Sequence, residues 1–179
     1  MHIKIPNIFT FISDFKKEQI LTLNKNVGVI LRNYEKTPDK DKILEIKKFC
    51  KFHKRQFYLA NDFEMAKNLN LDGVYIPSFN TKLNFQKCPI KNNFLILGSA
   101  HNIKEIKIKE LQKVDLIFLS PLFKTKNYSK GLGIVRFNIL SNYTTRKVIA
   151  LGGINKNNLN KLKITNAHGY SGISYFKNG

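Results

Sequence analysis

Two apolar segments near the end of the chain run into glycine, with the spacing of a phosphate-binding site. Residues 148–154 read VIALGGI and residues 169–174 read GYSGIS, with a helix-like stretch at 158–164 between them. Glycine lets the backbone approach an anion closely, and the free N–H groups of such a turn donate to phosphate oxygens. The same order closes a (β/α)8 barrel, whose loops after the seventh and eighth strands commonly bind phosphate. A βαβ unit with purely structural glycines is the alternative interpretation.

Polar side chains also follow the other apolar segments of the chain. Because ligand-binding groups of a parallel barrel lie where the strands end, these residues are expected to share one rim. They are Arg32, Asn61, Asp62, Ser99, His101, Asn102, Ser120, Thr125, Lys130, Gly152 and Gly153. Each has a simpler explanation as well: Arg32 and Lys130 as solvent-facing cations, and Asp62 and Asn102 as N-caps of the following helices.

The segments that would position this rim alternate between strand and helix patterns. Strands are predicted at 8–12, 27–31, 56–60, 73–76, 94–97, 116–119, 148–154 and 169–174. Helices are predicted at 16–23, 41–52, 63–69 and 103–111, with an irregular connection at 79–92 and a short helical turn at 135–140. Crossovers of ten or more residues imply parallel pairing. We therefore predict one domain over residues 1–179, a compact (β/α)8 TIM-like barrel.

Composition narrows the classes of partner. The net charge of +19 and the pI of about 10.0 are typical of proteins that bind nucleic acid or anionic surfaces. The lysines are spread along the chain, however, without an arginine-rich arm, which makes nucleic acid an unlikely partner and favours small anionic ligands. Cys50 and Cys88 lack CxxC spacing and are predicted to be reduced, buried thiols. Without an apolar run of ~18 residues or a signal-peptide core, we predict no membrane span and a cytoplasmic location.

Six short segments in a fixed order resemble the thiamine phosphate synthase and thiazole tautomerase superfamily over nearly the whole chain. Each segment is weakly specific, and their order is considerably more so. They are VILRN (29–33), LANDF (59–63), DGVYI (72–76), LGSAHN (97–102), VDLIFLSPLFKT (114–125) and ALGGI (150–154). The synthases join hydroxymethylpyrimidine diphosphate to thiazole phosphate, releasing diphosphate. The resemblance therefore implies a transferase of thiamine biosynthesis that binds phosphorylated small molecules.

The resemblance also implies roles for individual residues. Arg32, Asn61, Ser99 and Lys130 fall where the family holds the pyrimidine diphosphate, and of these Arg32, Ser99 and Lys130 are the candidate catalytic residues. Further substrate contacts are implied for Thr125, Ser129, Gly152, Gly153, Phe176 and Lys177, with Gly153 at the thiazole phosphate. Asp62 matches one of two aspartates that hold Mg²⁺, and Asn80 stands where the second is expected.

The sequence departs from the family pattern at several of these positions. Ile30 and Tyr34 replace a glutamine and a lysine that flank Arg32, and the threonine pattern before Lys130 is broken. Pro121 stands where the tautomerases have a histidine, and the stretch after the last strand has room for only a truncated final helix. We therefore predict a divergent thiamine phosphate synthase. The alternatives are a non-catalytic phosphate-binding relative and a basic nucleic-acid-binding protein.

Overall fold

Eight parallel strands form a closed barrel in which each strand pairs with its neighbours in chain order. The structure is a computed structural model that describes residues 5–23, 26–35, 38–83 and 90–172. Strand β8 pairs with both β7 and β1, which closes the barrel. The strands are β1 (Ile8–Ile12), β2 (Val27–Leu31), β3 (Phe57–Ala60), β4 (Gly73–Ile76), β5 (Leu95–Ala100), β6 (Leu116–Leu119), β7 (Lys147–Leu151) and β8 (Gly169–Ser171). The predicted (β/α)8 TIM-like fold is confirmed.

Helices connect most of the strands and cover the outside of the barrel. They are α1 (Lys17–Leu21), α2 (Lys40–Phe52), α3 (Phe63–Asn68), α4 (Ile103–Leu111), α5 (Gly133–Ser141) and a 3₁₀ helix (Leu159–Ile164). Helix α5 is longer than the predicted turn at 135–140. The stretch at 158–164 is 3₁₀ rather than α-helical, and it buries none of its side chains, so packing does little to favour a longer α-helix there. The described parts of the β4–β5 connection, 77–83 and 90–94, contain no helix, as predicted.

The alternation of side chains along the strands produces two apolar layers. The inner layer fills the barrel with large side chains, among which the ring of Phe118 contacts those of Phe9 (5.0 Å between centroids) and Tyr75 (5.4 Å). The outer layer packs the opposite strand faces against the helices, and Cys50 of α2 is buried there, as predicted. Cys88 lies outside the described residues. No helix in the described ranges is long and apolar enough to cross a membrane.

The strand register brings the carboxyl ends of the strands to one rim. Leu31 is opposite Leu59, Ala60 opposite Tyr75, and Leu151 opposite Ser171. Residues that follow these strands therefore lie side by side although they are far apart in the sequence. This is the geometric condition for the predicted site.

Candidate phosphate-binding active site

Arg32 occupies a central place on this rim. Its backbone N–H donates to the carbonyl oxygen of Ile12 (2.8 Å), which fixes the residue just beyond β2. Its guanidinium carbon lies 4.5 Å from the centroid of the Phe11 ring, at a distance typical of a cation–π contact. Arg32 borders three of the described clefts, with volumes of about 810, 220 and 460 Å³. A half-buried cation that faces several clefts is well placed to bind an anionic ligand.

Ser99 lies near the carboxyl end of β5, on the same inward face as Leu95 and Leu97. It is 5% exposed, and its side chain is hydrogen-bonded to Tyr75 on the neighbouring strand. Burial raises the pKa of Tyr75, while the bond to Ser99 and the charge of Arg32 oppose that rise. Tyr75 was not among the predicted site residues. The signal that could have found it is a hydroxyl-bearing residue on the inward face of a strand, among otherwise apolar inward positions.

The glycine-rich turn after β7 has the backbone conformation that the sequence predicted. Gly152 and Gly153 have φ values of +96° and +70°, in the region that favours glycine. A Cβ on Gly153 would lie 2.5 Å from the carbonyl oxygen of Lys124, and one on Gly152 would lie 2.8 Å from Cβ of Pro121. The missing side chains therefore let the loop after β7 (residues 152–154, the β7 loop) pack directly against the loop after β6 (residues 120–124, the β6 loop).

Hydrogen bonds hold these two loops together. The N–H of Leu122 donates to the carbonyl of Leu151 (2.8 Å), and the N–H of Phe123 donates to that of Gly152 (3.0 Å). Across the described ranges, the N–H groups of Gly153 and Ile154 donate to no protein acceptor. Free N–H groups on a rigid turn form the kind of anion-binding concavity that receives phosphate.

A cavity of about 460 Å³ joins the glycine turn to Arg32. Of the residues predicted for the rim, it is lined by Arg32, His101, Ser120, Thr125, Gly152 and Gly153. Lys126 and Tyr128 also line it, although they were not predicted as site residues. The cavity is of a size that suits a small phosphorylated ligand.

His101 is held in a defined orientation at this cavity. Its Nδ1 lies 2.8 Å from the carbonyl oxygen of Ser120 and 3.2 Å from the Ser120 hydroxyl, and its ring stacks on Tyr128 with centroids 6.2 Å apart. Asn102 is the N-cap of α4, as the simpler explanation proposed, because its side chain accepts a bond from the N–H of Glu105 (3.0 Å). Glu105 in turn accepts from the N–H of His101 (2.8 Å), which completes a reciprocal capping arrangement.

The structure does not bring Ser129 and Lys130 to this cavity. A turn, in which the N–H of Thr125 donates to the carbonyl of Tyr128 (3.0 Å), precedes them, and both residues are exposed. Lys126 is the lysine that borders the cavity. Phe176 and Lys177 lie outside the described residues.

The residues predicted to hold Mg²⁺ do not form a prepared cation site. Asp62 Oδ1 accepts a bond from the N–H of Met65 (2.9 Å), so Asp62 is the N-cap of α3. Asn80 donates its amide N–H to Asn61 Oδ1 (2.8 Å) and accepts from the N–H of Lys82 (3.1 Å). No group of three or more His, Cys, Asp or Glu that could hold a metal occurs in the described ranges.

These contacts leave one carboxylate, already used as a helix cap, and one amide oxygen that is already hydrogen-bonded. Protein Mg²⁺ sites rely on one or two carboxylates together with substrate phosphates. The residues present therefore supply one carboxylate where the resemblance implies two.

Tyr34 gives the rim an aromatic surface where the resemblance implies a lysine. Its ring packs edge-on against that of Phe79, with centroids 5.3 Å apart, and both side chains are exposed. Arg32 thus has no cationic neighbour at this position. The other cations of the clefts that Arg32 borders are Lys16, Lys126 and Lys42, the last of which is paired with Asp14.

Comparison with known proteins agrees with this geometry. Residues 18–176 match the model of the family described as thiamine monophosphate synthase. A thiamine-phosphate synthase of Prochlorococcus marinus is 30% identical over 152 residues, which are 82% of this chain and 44% of that protein. A putative thiamine-phosphate synthase 2 of Aquifex aeolicus is 29% identical over 134 residues, 74% of this chain and 72% of that protein.

A solved structure shows the same fold. Thiamine phosphate pyrophosphorylase from Pyrococcus furiosus superposes with a TM-score of 0.74 at 18% identity, covering 96% of this chain and 87% of that one. The chain spans less than half of the Prochlorococcus protein, but most of the Aquifex and Pyrococcus proteins.

Proposed function

This chain belongs to the thiamine monophosphate synthase family, and we propose that it joins hydroxymethylpyrimidine diphosphate to thiazole phosphate, forming thiamine phosphate and diphosphate. One observation carries the proposal: Arg32 and the glycine turn at Gly152–Gly153 border the same cavity of about 460 Å³. A cation and a set of free N–H groups are two of the means by which proteins bind phosphate. Arg32 is available for the pyrimidine diphosphate, and the N–H groups of the glycine turn are available for the thiazole phosphate.

The main catalytic requirement of this reaction is stabilisation of the diphosphate leaving group, not proton transfer. The lone pair of the thiazole nitrogen forms a bond to the methylene carbon of the pyrimidine, and the bond from that carbon to the diphosphate oxygen breaks. The electron pair of the broken bond leaves with diphosphate, so negative charge accumulates there. Arg32 stabilises this charge directly, which is where a fixed cation lowers the barrier most.

Neutral donors complete the pyrimidine diphosphate side of the site. Ser99 and Tyr75, near the carboxyl ends of β5 and β4, are proposed to offer hydroxyl groups to the substrate; both are largely buried, and Tyr75 interacts with both Ser99 and Arg32. Asn61 lies on the same rim, with its side chain positioned by Asn80 at 2.8 Å. Lys130 stays a predicted contact of the diphosphate, although Lys126 is the lysine that borders the cavity.

The thiazole phosphate is proposed to bind at the glycine turn. The N–H groups of Gly153 and Ile154 would donate to its oxygens, and Thr125 borders the same space. Contacts from Phe176 and Lys177 stay predictions. A cytoplasmic location likewise stays a prediction that accompanies the proposed pathway.

A direct assay tests the proposal. The purified protein is incubated with both phosphorylated precursors, with and without Mg²⁺, and thiamine phosphate is quantified by chromatography. Product should form, and Arg32→Ala should abolish it while Arg136→Ala, which removes an exposed arginine on α5, should not. Absence of product in the wild-type protein under both conditions would refute the synthase activity.

A second candidate function is supported by one observation: the amide of Asn80, bonded to Asn61, stands where the resemblance implies a second carboxylate. A non-catalytic relative would bind the two precursors without joining them. Calorimetry on each precursor separates the two functions, because binding without product identifies the relative. If neither precursor binds, and the protein instead binds nucleic acid with a steep salt dependence, the family chemistry is absent.

A further inference from the structure

Lys109 is a buried cation that the proposed chemistry does not use. It lies on α4 with 0% of its surface exposed. Its Nζ donates to the carbonyl oxygens of Pro77 (2.8 Å) and Asn80 (2.9 Å) and to Oε1 of Gln112 (2.8 Å). An ammonium has three donors, so all of them are used. Burying a charge is costly unless it is hydrogen-bonded, and the three bonds to Lys109 Nζ offset part of that cost.

Gln112 extends the same arrangement. It is also 0% exposed, and its amide donates to the carbonyl oxygens of Asn80 (2.9 Å) and Lys82 (2.8 Å). Together the two side chains bind carbonyl groups at three positions within residues 77–82, a segment we call the β4 loop. In the β4 loop, the N–H of Asn80 donates to the carbonyl of Pro77 (3.1 Å), and no helix is present. The β4 loop is therefore held largely from α4.

The core makes room for this contact. A Cβ on Gly98 of β5 would lie 2.8 Å from Cδ of Lys109. Because Gly98 has no side chain, the lysine stem passes over β5 and reaches the carbonyl groups beyond the end of β4. The long side chain and the glycine beneath it form a matched pair.

The β4 loop is connected directly to the site. Asn80, whose carbonyl receives bonds from both buried side chains, donates its own amide to Asn61 Oδ1 (2.8 Å). Asn61 has a φ of +64°, and its N–H donates to the carbonyl of Tyr75 (2.8 Å). A continuous set of hydrogen bonds thus runs from α4 through Asn80 to a rim residue.

We propose that Lys109 and Gln112 are positioning residues, which fix the β4 loop from α4 and thereby hold the Asn61 amide where the pyrimidine diphosphate binds. The proposal rests on the proposed function for the identity of that ligand. Lys109 and Gln112 thus position residues on the pyrimidine diphosphate side of the site. Binding of thiazole phosphate at the glycine turn should not depend on either residue.

Lys109→Met tests the proposal, because methionine fills a similar volume and donates no hydrogen bonds. Lys104→Met is the matched control, since it removes an exposed lysine from the same helix. Amide hydrogen exchange is measured at Asn61 and in the β4 loop, and affinities for pyrimidine diphosphate and thiazole phosphate are measured by calorimetry. Lys109→Met should speed exchange at both places and weaken pyrimidine diphosphate binding roughly three- to tenfold, leaving thiazole phosphate binding unchanged. Lys104→Met should change none of these.

Asn80→Ala provides a second variant that leaves the buried lysine in place. It removes the link between the β4 loop and Asn61, together with the local bond from the N–H of Lys82, and leaves the backbone carbonyl of Asn80 that Lys109 and Gln112 bind. It should therefore reproduce the loss of pyrimidine diphosphate affinity even if Lys109→Met fails to fold. Faster loop exchange in Lys109→Met with unchanged affinity would overturn the positioning role and leave a structural one. If the wild-type protein binds neither precursor, the proposed function fails. Hydrogen exchange at the backbone N–H of Asn61 then decides by itself whether Lys109 and Gln112 hold Asn61 in place.

Discussion

Replacing Gly153 by alanine tests how closely the β6 and β7 loops are packed. At a φ of +70°, an L-residue costs about 1–2 kcal/mol relative to glycine. The new Cβ would also lie 2.5 Å from the carbonyl oxygen of Lys124 and 2.8 Å from the carbonyl carbon of Phe123. Both contacts are with backbone, so a loop has to move, which adds the roughly 1–3 kcal/mol typical of overpacking. Gly153→Ala should therefore lower the free energy of unfolding by about 2–5 kcal/mol.

The chain offers a matched control in Gly133. Its φ is +69°, but no atom lies within 4 Å of an added Cβ, so Gly133→Ala should cost only the backbone strain of about 1–2 kcal/mol. The free energy of unfolding of both variants is measured by urea denaturation, and thiazole phosphate affinity by calorimetry. Gly153→Ala should be the less stable variant, and it alone should weaken thiazole phosphate binding, by at least about tenfold. Equal stabilities would refute the packing argument. Unchanged thiazole phosphate affinity in a destabilised Gly153→Ala would show that the phosphate binds elsewhere.

Three other substitutions address the charges of the site. Arg32→Ala should weaken the binding of inorganic diphosphate roughly ten- to a hundredfold in calorimetry, because a charge-assisted bond contributes ~1.5–3 kcal/mol, whereas Arg136→Ala should bind as the wild type does. Asn80→Asp supplies the second carboxylate of the predicted Mg²⁺ site and should tighten Mg²⁺ binding in a titration; an unchanged affinity would contradict the pairing of this position with Asp62. Burial lowers the pKa of Lys109 from its ordinary value of 10.5 to about 8, so above pH 8 the unfolded chain binds more protons than the folded protein. The wild type should therefore gain stability relative to Lys109→Met between pH 7 and pH 10, and a constant difference in urea denaturation would contradict this.

Much of the barrel could be predicted from sequence because its strands are short apolar runs that are buried on both faces. The bounds of β1, β2, β4, β6 and α4 match the predicted segments. Parallel strands end at one rim, so the neighbourhood of Arg32, Ser99 and the glycine turn followed from strand order alone. Strand order determines where backbone positions lie, so it predicts those parts of a site that depend on the backbone.

Other features could not be predicted, because they depend on where individual side chains point. Lys109 is one of several lysines on a helix, and nothing in the sequence distinguishes the one that turns inward over Gly98. Lys126 rather than Lys130 borders the cavity because a turn at Thr125–Tyr128 redirects the loop. Asp62 is used as a helix cap, which short-range spacing allowed but did not require.

The pairing of β8 with β1, which closes the barrel, has a consequence for the folding kinetics. Strand β8 has only three residues, and the hydroxyl of Ser171 donates to the carbonyl oxygen of Phe9 (2.9 Å) across 162 positions of sequence. Joining such distant segments is about 2 kcal/mol costlier in loop entropy than joining segments 20 residues apart. The contact is therefore expected to form after the folding transition state, once the intervening strands are in place. Ser171→Ala should then accelerate unfolding and leave the folding rate nearly unchanged. The pairing of β8 with β1 would be the last contact of the barrel to form and the first to break.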